Sequence, residues 1–197
     1  MMKIKRFVGG NLEANGYVIY HRSSKECFII DPGYNANRYI EFAKSMSFNV
    51  KGILLTHHHH DHVGAVEKIR GDLRCSVYMH RQDMVKYKGH IDVPLDDGDT
   101  LLLDEEKIQV LHTPGHTLGG VCFYAEESKV AFTGDTIFNV DIGRTDFSDG
   151  DPYKMQDSMN NVINKWTNDI TIYPGHGDPA TMKFVRENNR EFIEALI

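Results

Sequence analysis

Thr56-His57-His58-His59-His60-Asp61-His62 decides the reading of this chain. Just before it lies the apolar run Ile53-Leu54-Leu55, so a buried strand is predicted to run out into a loop that carries His57-x-His59-x-Asp61-His62. Imidazole nitrogens and a carboxylate delivered to one point in space are what a metal site requires. A packed core has no use for several solvated imidazoles at one strand end. A purification tag would sit at a terminus and would carry no aspartate in register. The cluster is therefore read as a metal site.

Around it the chain alternates short β-rich runs with helical spacing. Strands are predicted at Lys3–Val8, Tyr17–Tyr20 and Cys27–Ile30, ended sharply by Asp31-Pro32-Gly33. Asn35–Phe48 has helical spacing through Tyr39, Ile40, Ala43 and Met46, and the strand Val50–Leu55 follows. Asp61–Ile69 reads as one helix, which puts Asp61 near a helix N-terminus, where a carboxylate is favoured. Ser76–Met79 reads as a strand, followed by a short helix around Arg81–Tyr87. Further strands are predicted at Leu101–Leu103, Lys107–His112, Val121–Tyr124, Lys129–Phe132 and Ile170–Tyr173. Asp151-Pro152 and Asp178-Pro179 each offer a capping Asp followed by Pro, predicting helices over Tyr153–Trp166 and Ala180–Leu196. Strand hairpins mixed with helices suggest an α/β (α+β) protein whose sheets are covered by helices. No linker interrupts the pattern, so residues 1–197 are read as a single domain.

Composition narrows the function. Hydrophobic residues make up 41% and charged residues 25%, as in a soluble globular protein. The 22 basic and 28 acidic residues leave a formal charge of -6 with no basic run. That balance argues against nucleic acid or an anionic membrane surface as partner. No apolar segment is long enough to span a bilayer, and the basic N-terminus turns polar too soon for a signal peptide. Cys27, Cys75 and Cys122 are widely spaced and odd in number. They are read as reduced thiols in a cytoplasmic protein, with Cys27 and Cys122 buried in strands.

Three later segments repeat one pattern: an apolar run, a glycine-containing turn and a donor residue in the turn. They are His112-Thr113-Pro114-Gly115-His116-Thr117, Phe132-Thr133-Gly134-Asp135-Thr136 and Tyr173-Pro174-Gly175-His176-Gly177. Singly each is an ordinary turn. Together with the first cluster they make five histidines and two aspartates available, too many for one four-coordinate zinc but suited to two metals.

The series T-H-x-H-x-D-H, P-G-H-T, T-G-D-T, P-G-H-G, in order from about Leu54 to Asp178, resembles the metallo-β-lactamase superfamily and, within it, the glyoxalase II-like hydrolases. The resemblance implies a four-layer αβ/βα sandwich with two divalent metal ions at one edge. It places His57, His59 and His116 on the first ion, Asp61, His62 and His176 on the second, and Asp135 between them. Zinc is the default for such a His/Asp set, and iron or manganese accepts the same ligands. Because binding needs neutral imidazoles, it should weaken as pH falls. His58 and His60 alternate with the ligands and are expected to point away. His112 reads as a polar residue at a strand end. Asp31 resembles a position that supports a metal-ligating histidine by hydrogen bonding, with plain turn formation as the other reading.

The implied chemistry is hydrolysis of a thioester or related small-molecule acyl compound. A bridging water whose pKa falls toward ~7 supplies hydroxide, and Asp61 orients it and accepts its proton. Arg144 matches a basic substrate-binding position in the loop after Asp135, whereas Asp146 stands where glutathione-binding relatives have an aromatic. Only 21 residues follow His176, so the chain is expected to lack the C-terminal helical domain of full-length glyoxalase II. A second resemblance, to mononuclear-iron persulfide dioxygenases, rests on the first cluster and on Gly143-Arg144-Thr145-Asp146-Phe147. It would use His57, His116 and Asp135 as a facial triad. Pro174-Gly175-His176-Gly177 and His116-Thr117-Leu118-Gly119-Gly120 favour the hydrolases. Antibiotic hydrolysis is the weaker expectation, since the export signal is lacking and the secreted β-lactamases do not use a bridging aspartate.

Overall fold

The computed structural model describes residues 2–196. Its first half is a six-stranded sheet: β1 (Met2–Gly9), β2 (Ala14–His21), β3 (Glu26–Ile30), β4 (Asn49–Leu55), β5 (Ser76–His80) and β6 (Val93–Leu95), side by side in that order. The second half is another: β7 (Thr100–Leu103), β8 (Glu106–His112), β9 (Val121–Ala125), β10 (Val130–Gly134), β11 (Thr171–Pro174) and β12 (Ala180–Thr181), again in chain order across the sheet. Both are mixed. β3, β4, β5 and β6 run parallel, as do β10 and β11, while the other neighbours are antiparallel.

Three apolar clusters make this a four-layer sandwich. Between the sheets lie Tyr17, Phe28, Ile30, Leu54, Phe123 and Phe132. Each such side chain contributes roughly 1.5–3 kcal/mol by leaving water. Outside the first sheet, α1 (Ala36–Ser45) and α3 (Val66–Leu73) bury Tyr39, Ile40, Val66 and Ile69. Outside the second, α5 (Pro152–Asn161), α6 (Met182–Asn188) and α7 (Arg190–Ala195) bury Met155, Met159, Val185 and Phe192. The αβ/βα expectation holds. Cys27, Cys75 and Cys122 are all free and buried, and burial pushes their thiols up to about 12, 11 and 11. Among the described residues no helix is long and apolar enough to cross a membrane.

Three predicted helices differ in detail. The one expected over Asp61–Ile69 is two, α2 (His60–Val63) and α3. The chain turns at Gly64-Ala65 because it packs on the Asp31-Pro32-Gly33 turn: Ala65 N donates to Pro32 O at 3.0 Å, and a Cβ on Gly64 would stand 2.6 Å from Gly33 O. Asp151 caps α5 as predicted, accepting from the amides of Tyr153 and Lys154. That helix stops at Asn161, and a single 3-10 turn, Ile163–Lys165, follows.

Asp178, by contrast, caps nothing. It pairs with Arg6 at 3.0 Å, and Thr181 caps α6 instead. A second interruption, at Asn189, separates α6 from α7. The Asn189 side chain accepts from Phe192 N at 2.9 Å and donates to Phe138 O and Asp141 O at 3.1 and 2.7 Å. A fully buried amide thus caps a helix and ties it to the loop after β10. Asn189→Ala is expected to cost about 1–3 kcal/mol, read as a lower midpoint in urea unfolding at unchanged m-value.

Candidate metal centre

The donor residues lie where strands of both sheets end at one edge. β4 delivers His57, the turn after β8 delivers His116, β10 delivers Asp135 and β11 delivers His176. Backbone bonds lock these ends together: Val121 N to Thr56 O at 2.9 Å, Gly175 N to Gly134 O at 2.7 Å, and Asn15 N to Gly175 O at 2.7 Å. The Asn15 amide and the Tyr17 hydroxyl also hold Pro174 O, at 3.0 and 2.6 Å, so the first sheet fixes the turn that carries His176. Gly175 is required by close approach. A Cβ there would collide with Asp135 Oδ1 and stand 2.7 Å from His62 Cε1.

Two groups of donors result. His57, His59 and His116 bring nitrogens within 4.8 Å of one another, with His59 Nδ1 and His116 Nε2 at 2.9 Å. Asp61, His62 and His176 form a second group with the same spread, His62 Nε2 and His176 Nε2 being 3.2 Å apart. Asp135 faces both. Its Oδ1 lies 3.3 Å from His62 Nε2, and its Oδ2 lies 3.5 Å from both His116 Nε2 and His176 Nε2 and 4.0 Å from His57 Nε2.

The outer contacts select the tautomers. His116 Nδ1 donates to Arg144 O at 2.8 Å, and His176 Nδ1 donates to Leu12 O at 2.9 Å. In the neutral form of each ring the lone pair is thereby left on Nε2, pointing inward. Thr56 does the same for His57: its hydroxyl donates to Asp31 Oδ2 at 2.6 Å and accepts from His57 Nδ1 at 3.0 Å. Asp31 also takes the Thr56 amide at 2.8 Å and reaches to 3.7 Å from His62 Nδ1. Desolvation pushes its carboxyl up to about 6 against the pull of His62 and Thr56. Asp31 therefore fixes the end of β4 through Thr56 and reaches His57 only by way of the Thr56 hydroxyl, with no direct hydrogen bond to a histidine among the described residues. His57 Nε2 and Asp135 Oδ1 are buried with no hydrogen-bond partner. Buried lone pairs converging without donors are the chemistry that fits divalent cations.

The two groups differ in protonation. Burial, then the neighbouring rings, holds His57 well below the usual imidazole range and His59 at about 4. In the second group burial is overcome by carboxylates. Asp135 and Asp61 push His176 up to about 10 and also raise His62. An ion entering the first group meets those two imidazoles already neutral, whereas one entering the second must displace protons. Affinity for the second ion should therefore climb about tenfold per pH unit for each proton released. On acidifying from pH 8 to pH 6 the second equivalent is expected to leave before the first, read by elemental analysis after dialysis at each pH.

His58 belongs to neither of these two groups, but it stays in the site, its ring 4.8 Å from that of His59 and grouped with His59 and Asp149. Its Nδ1 is 3.0 Å from Asp83 Oδ2 and its Nε2 3.5 Å from Asp149 Oδ2. Asp83, itself buried, also accepts from the His58 amide, the Thr117 hydroxyl and the Gly119 amide, and so clamps the first cluster to the His116 turn. Nothing in the local pattern around Asp83 distinguishes it from a surface helix residue. His60 is exposed, with its ring 6.2 Å from Tyr34. His112 stacks on His80 at 4.2 Å and reaches Leu118 O at 2.9 Å.

His59, Asp61, His116, Asp135 and His176 sit at the floor of a cavity of about 850 Å³, whose wall includes Leu12, Phe138, Val140, Ile142 and Phe147. Arg144 reaches its mouth, with both guanidinium contacts made to Asp146, at 2.6 Å each.

Two mixed sheets, helices on both outer faces and a histidine-aspartate cluster at one edge define a metal-binding αβ/βα sandwich. The chain belongs to the metallo-beta-lactamase superfamily, whose profile matches residues 9–176. The hydroxyacylglutathione hydrolase GloC of Haemophilus influenzae is 35% identical over 183 residues, covering 84% of this chain and 86% of GloC. A probable polyketide biosynthesis zinc-dependent hydrolase of Bacillus subtilis, PksB, is 30% identical, covering 81% of this chain and 71% of its own. Two solved structures are similar: the BLEG-1 B3 metallo-beta-lactamase (TM-score 0.88, 30% identity, 96% of this chain and 99% of that one) and TTHA1623 in a di-iron-bound form (0.84, 28%, 94% and 98%).

Proposed function

We propose that the protein is a two-metal hydrolase of thioesters or closely related acyl compounds, with zinc as the resident metal and a small molecule as substrate. His57, His59 and His116 would hold one ion, Asp61, His62 and His176 the other, and Asp135 both. When bound, such ions acidify water, polarise an acyl carbonyl and stabilise a thiolate leaving group. The observation that carries the reading is Asp135 Oδ2, which stands 3.5 Å from one histidine of each group at the floor of an open cavity. One anionic oxygen shared in this way offsets the repulsion of two cations held close.

Asp61, 14% exposed at the cavity edge, orients the attacking water and takes its proton. His57, His116 and His176 are held in orientation by Thr56, Arg144 O and Leu12 O, which preorganises three of the five donor rings. The apolar wall receives the uncharged part of the substrate and keeps bulk water from it. The likeness to GloC supports an acyl-thiol substrate, and the likeness to PksB supports zinc.

The test is elemental analysis of protein purified without added metal, paired with a panel of S-lactoylglutathione, acyl-CoA thioesters, a neutral N-acetylcysteamine thioester and a β-lactam. Two ions per chain and thioester turnover are expected. A single iron with sulfide-dependent oxygen uptake would replace this reading with the dioxygenase one, and turnover of the β-lactam alone would replace the substrate class.

A further inference from the structure

We infer that Asp146 sets the specificity of the cavity by occupying Arg144, so that the site takes substrates whose group at the mouth is uncharged and apolar. The inference rests on the thioester reading above and concerns which thioesters. The guanidinium meets Asp146 through two parallel bonds, Nε to Oδ1 and an Nη to Oδ2. It also lies over the Phe147 ring at 4.5 Å. An arginine held as a fork by a carboxylate two residues away, with its face on an aromatic ring, has its charge answered and the fork edge of its guanidinium taken. It presents a substrate with the edge of a neutral stack. An exposed pair of this kind contributes little to stability. Its consequence lies in what Arg144 can no longer offer.

The rest of the mouth agrees. The other cation on the wall, Lys86, is 3.2 Å from Ser148 Oγ and 4.0 Å from Asp149 Oδ1. Asp141 and Asp149 add negative charge to the same wall. A substrate carboxylate would therefore find both cationic side chains of the wall, Arg144 and Lys86, already facing carboxylates, and would meet Asp141 beside them. Three large apolar side chains remain exposed at the rim: Leu12, Val140 and Phe147, at 63%, 48% and 40%. They sit beside the donor groups. The Phe147 ring is 5.0 Å from that of His59, and Leu12 O holds His176. Exposed apolar side chains gathered at one cavity mouth mark what is meant to dock there.

The experiment compares butanoyl thioesters of N-acetylcysteamine, which is neutral, and of 3-mercaptopropionate, which carries a carboxylate. Wild-type protein is expected to favour the neutral ester in kcat/KM by about tenfold or more. Asp146→Asn, which keeps the shape and removes the charge, is expected to shift that ratio about tenfold toward the charged ester. The shift should appear in KM, fade in 0.5 M salt and vanish in the double variant Arg144→Ala, Asp146→Asn. A ratio unmoved by Asp146→Asn, or a wild-type preference for the charged ester, would overturn the inference. Calorimetric binding of the two free thiols to wild type and Asp146→Asn runs beside it. If neither ester is hydrolysed the thioester reading fails, while the thiol affinities still decide whether Asp146 governs discrimination.

Discussion

Asp135→Asn is expected to lose at least one of two bound metal ions per chain and to lower kcat/KM by about 10³-fold or more, equivalent to about 4 kcal/mol of transition-state stabilisation. Asp135 faces both donor groups with its two oxygens: Oδ1 toward His62 and Oδ2 toward His57, His116 and His176. Burial opposes its charge, and the His62 and His176 contacts restore it, holding the carboxyl below the usual range. Asparagine keeps the volume and one carbonyl oxygen but removes the anion, leaving two cations to repel each other across a neutral amide. The His57, His59 and His116 set survives intact, so the first ion should persist and the second should not. Elemental analysis of the variant checks this. Retention of both ions with full activity would remove Asp135 from the centre.

Asp61→Asn is expected to lower kcat by about 10²–10⁴-fold with KM little changed. Burial raises the Asp61 carboxyl, but hydrogen bonds from His176 and His62 outweigh it and hold the group well below the usual carboxylate range. Those imidazoles yield their protons when an ion enters, and the carboxylate is then free to face the water. The second ion keeps His62, His176 and Asp135, so its affinity should fall less than the rate does. Unchanged hydrolysis in a variant with intact metal content would show that Asp61 has no part in proton transfer.

The candidate centre was legible because each donor stands in a short motif at a strand end, and strand ends at one sheet edge meet in space. The alternation of 57 and 59 was readable for the same reason, since neighbouring side chains in extended chain diverge. What escaped notice depends on contacts distant in sequence. Asp83 belongs to the four-residue helix Arg81–Met84, and only the packing of the His116 turn against it makes it a clamp. Asp178-Pro179 has the form of a cap, yet Arg6 from the far end of the chain captures the carboxylate. Asn189 breaks a helix that periodicity would continue: its backbone is extended, its side-chain oxygen caps α7, and its side-chain amide is held by Phe138 O and Asp141 O. The short edge strand β6 contains Pro94, which reads as a breaker, but an edge position leaves one side unpaired and accepts it.

Anomalous diffraction from crystals of the metal-loaded protein, collected at the absorption edge of the metal found by elemental analysis, tests the central claim most directly. Two peaks per chain are expected, one among His57, His59 and His116, the other among Asp61, His62 and His176, with Asp135 contacting both. A single peak, bound by His57, His116 and Asp135 alone, would contradict a two-ion centre.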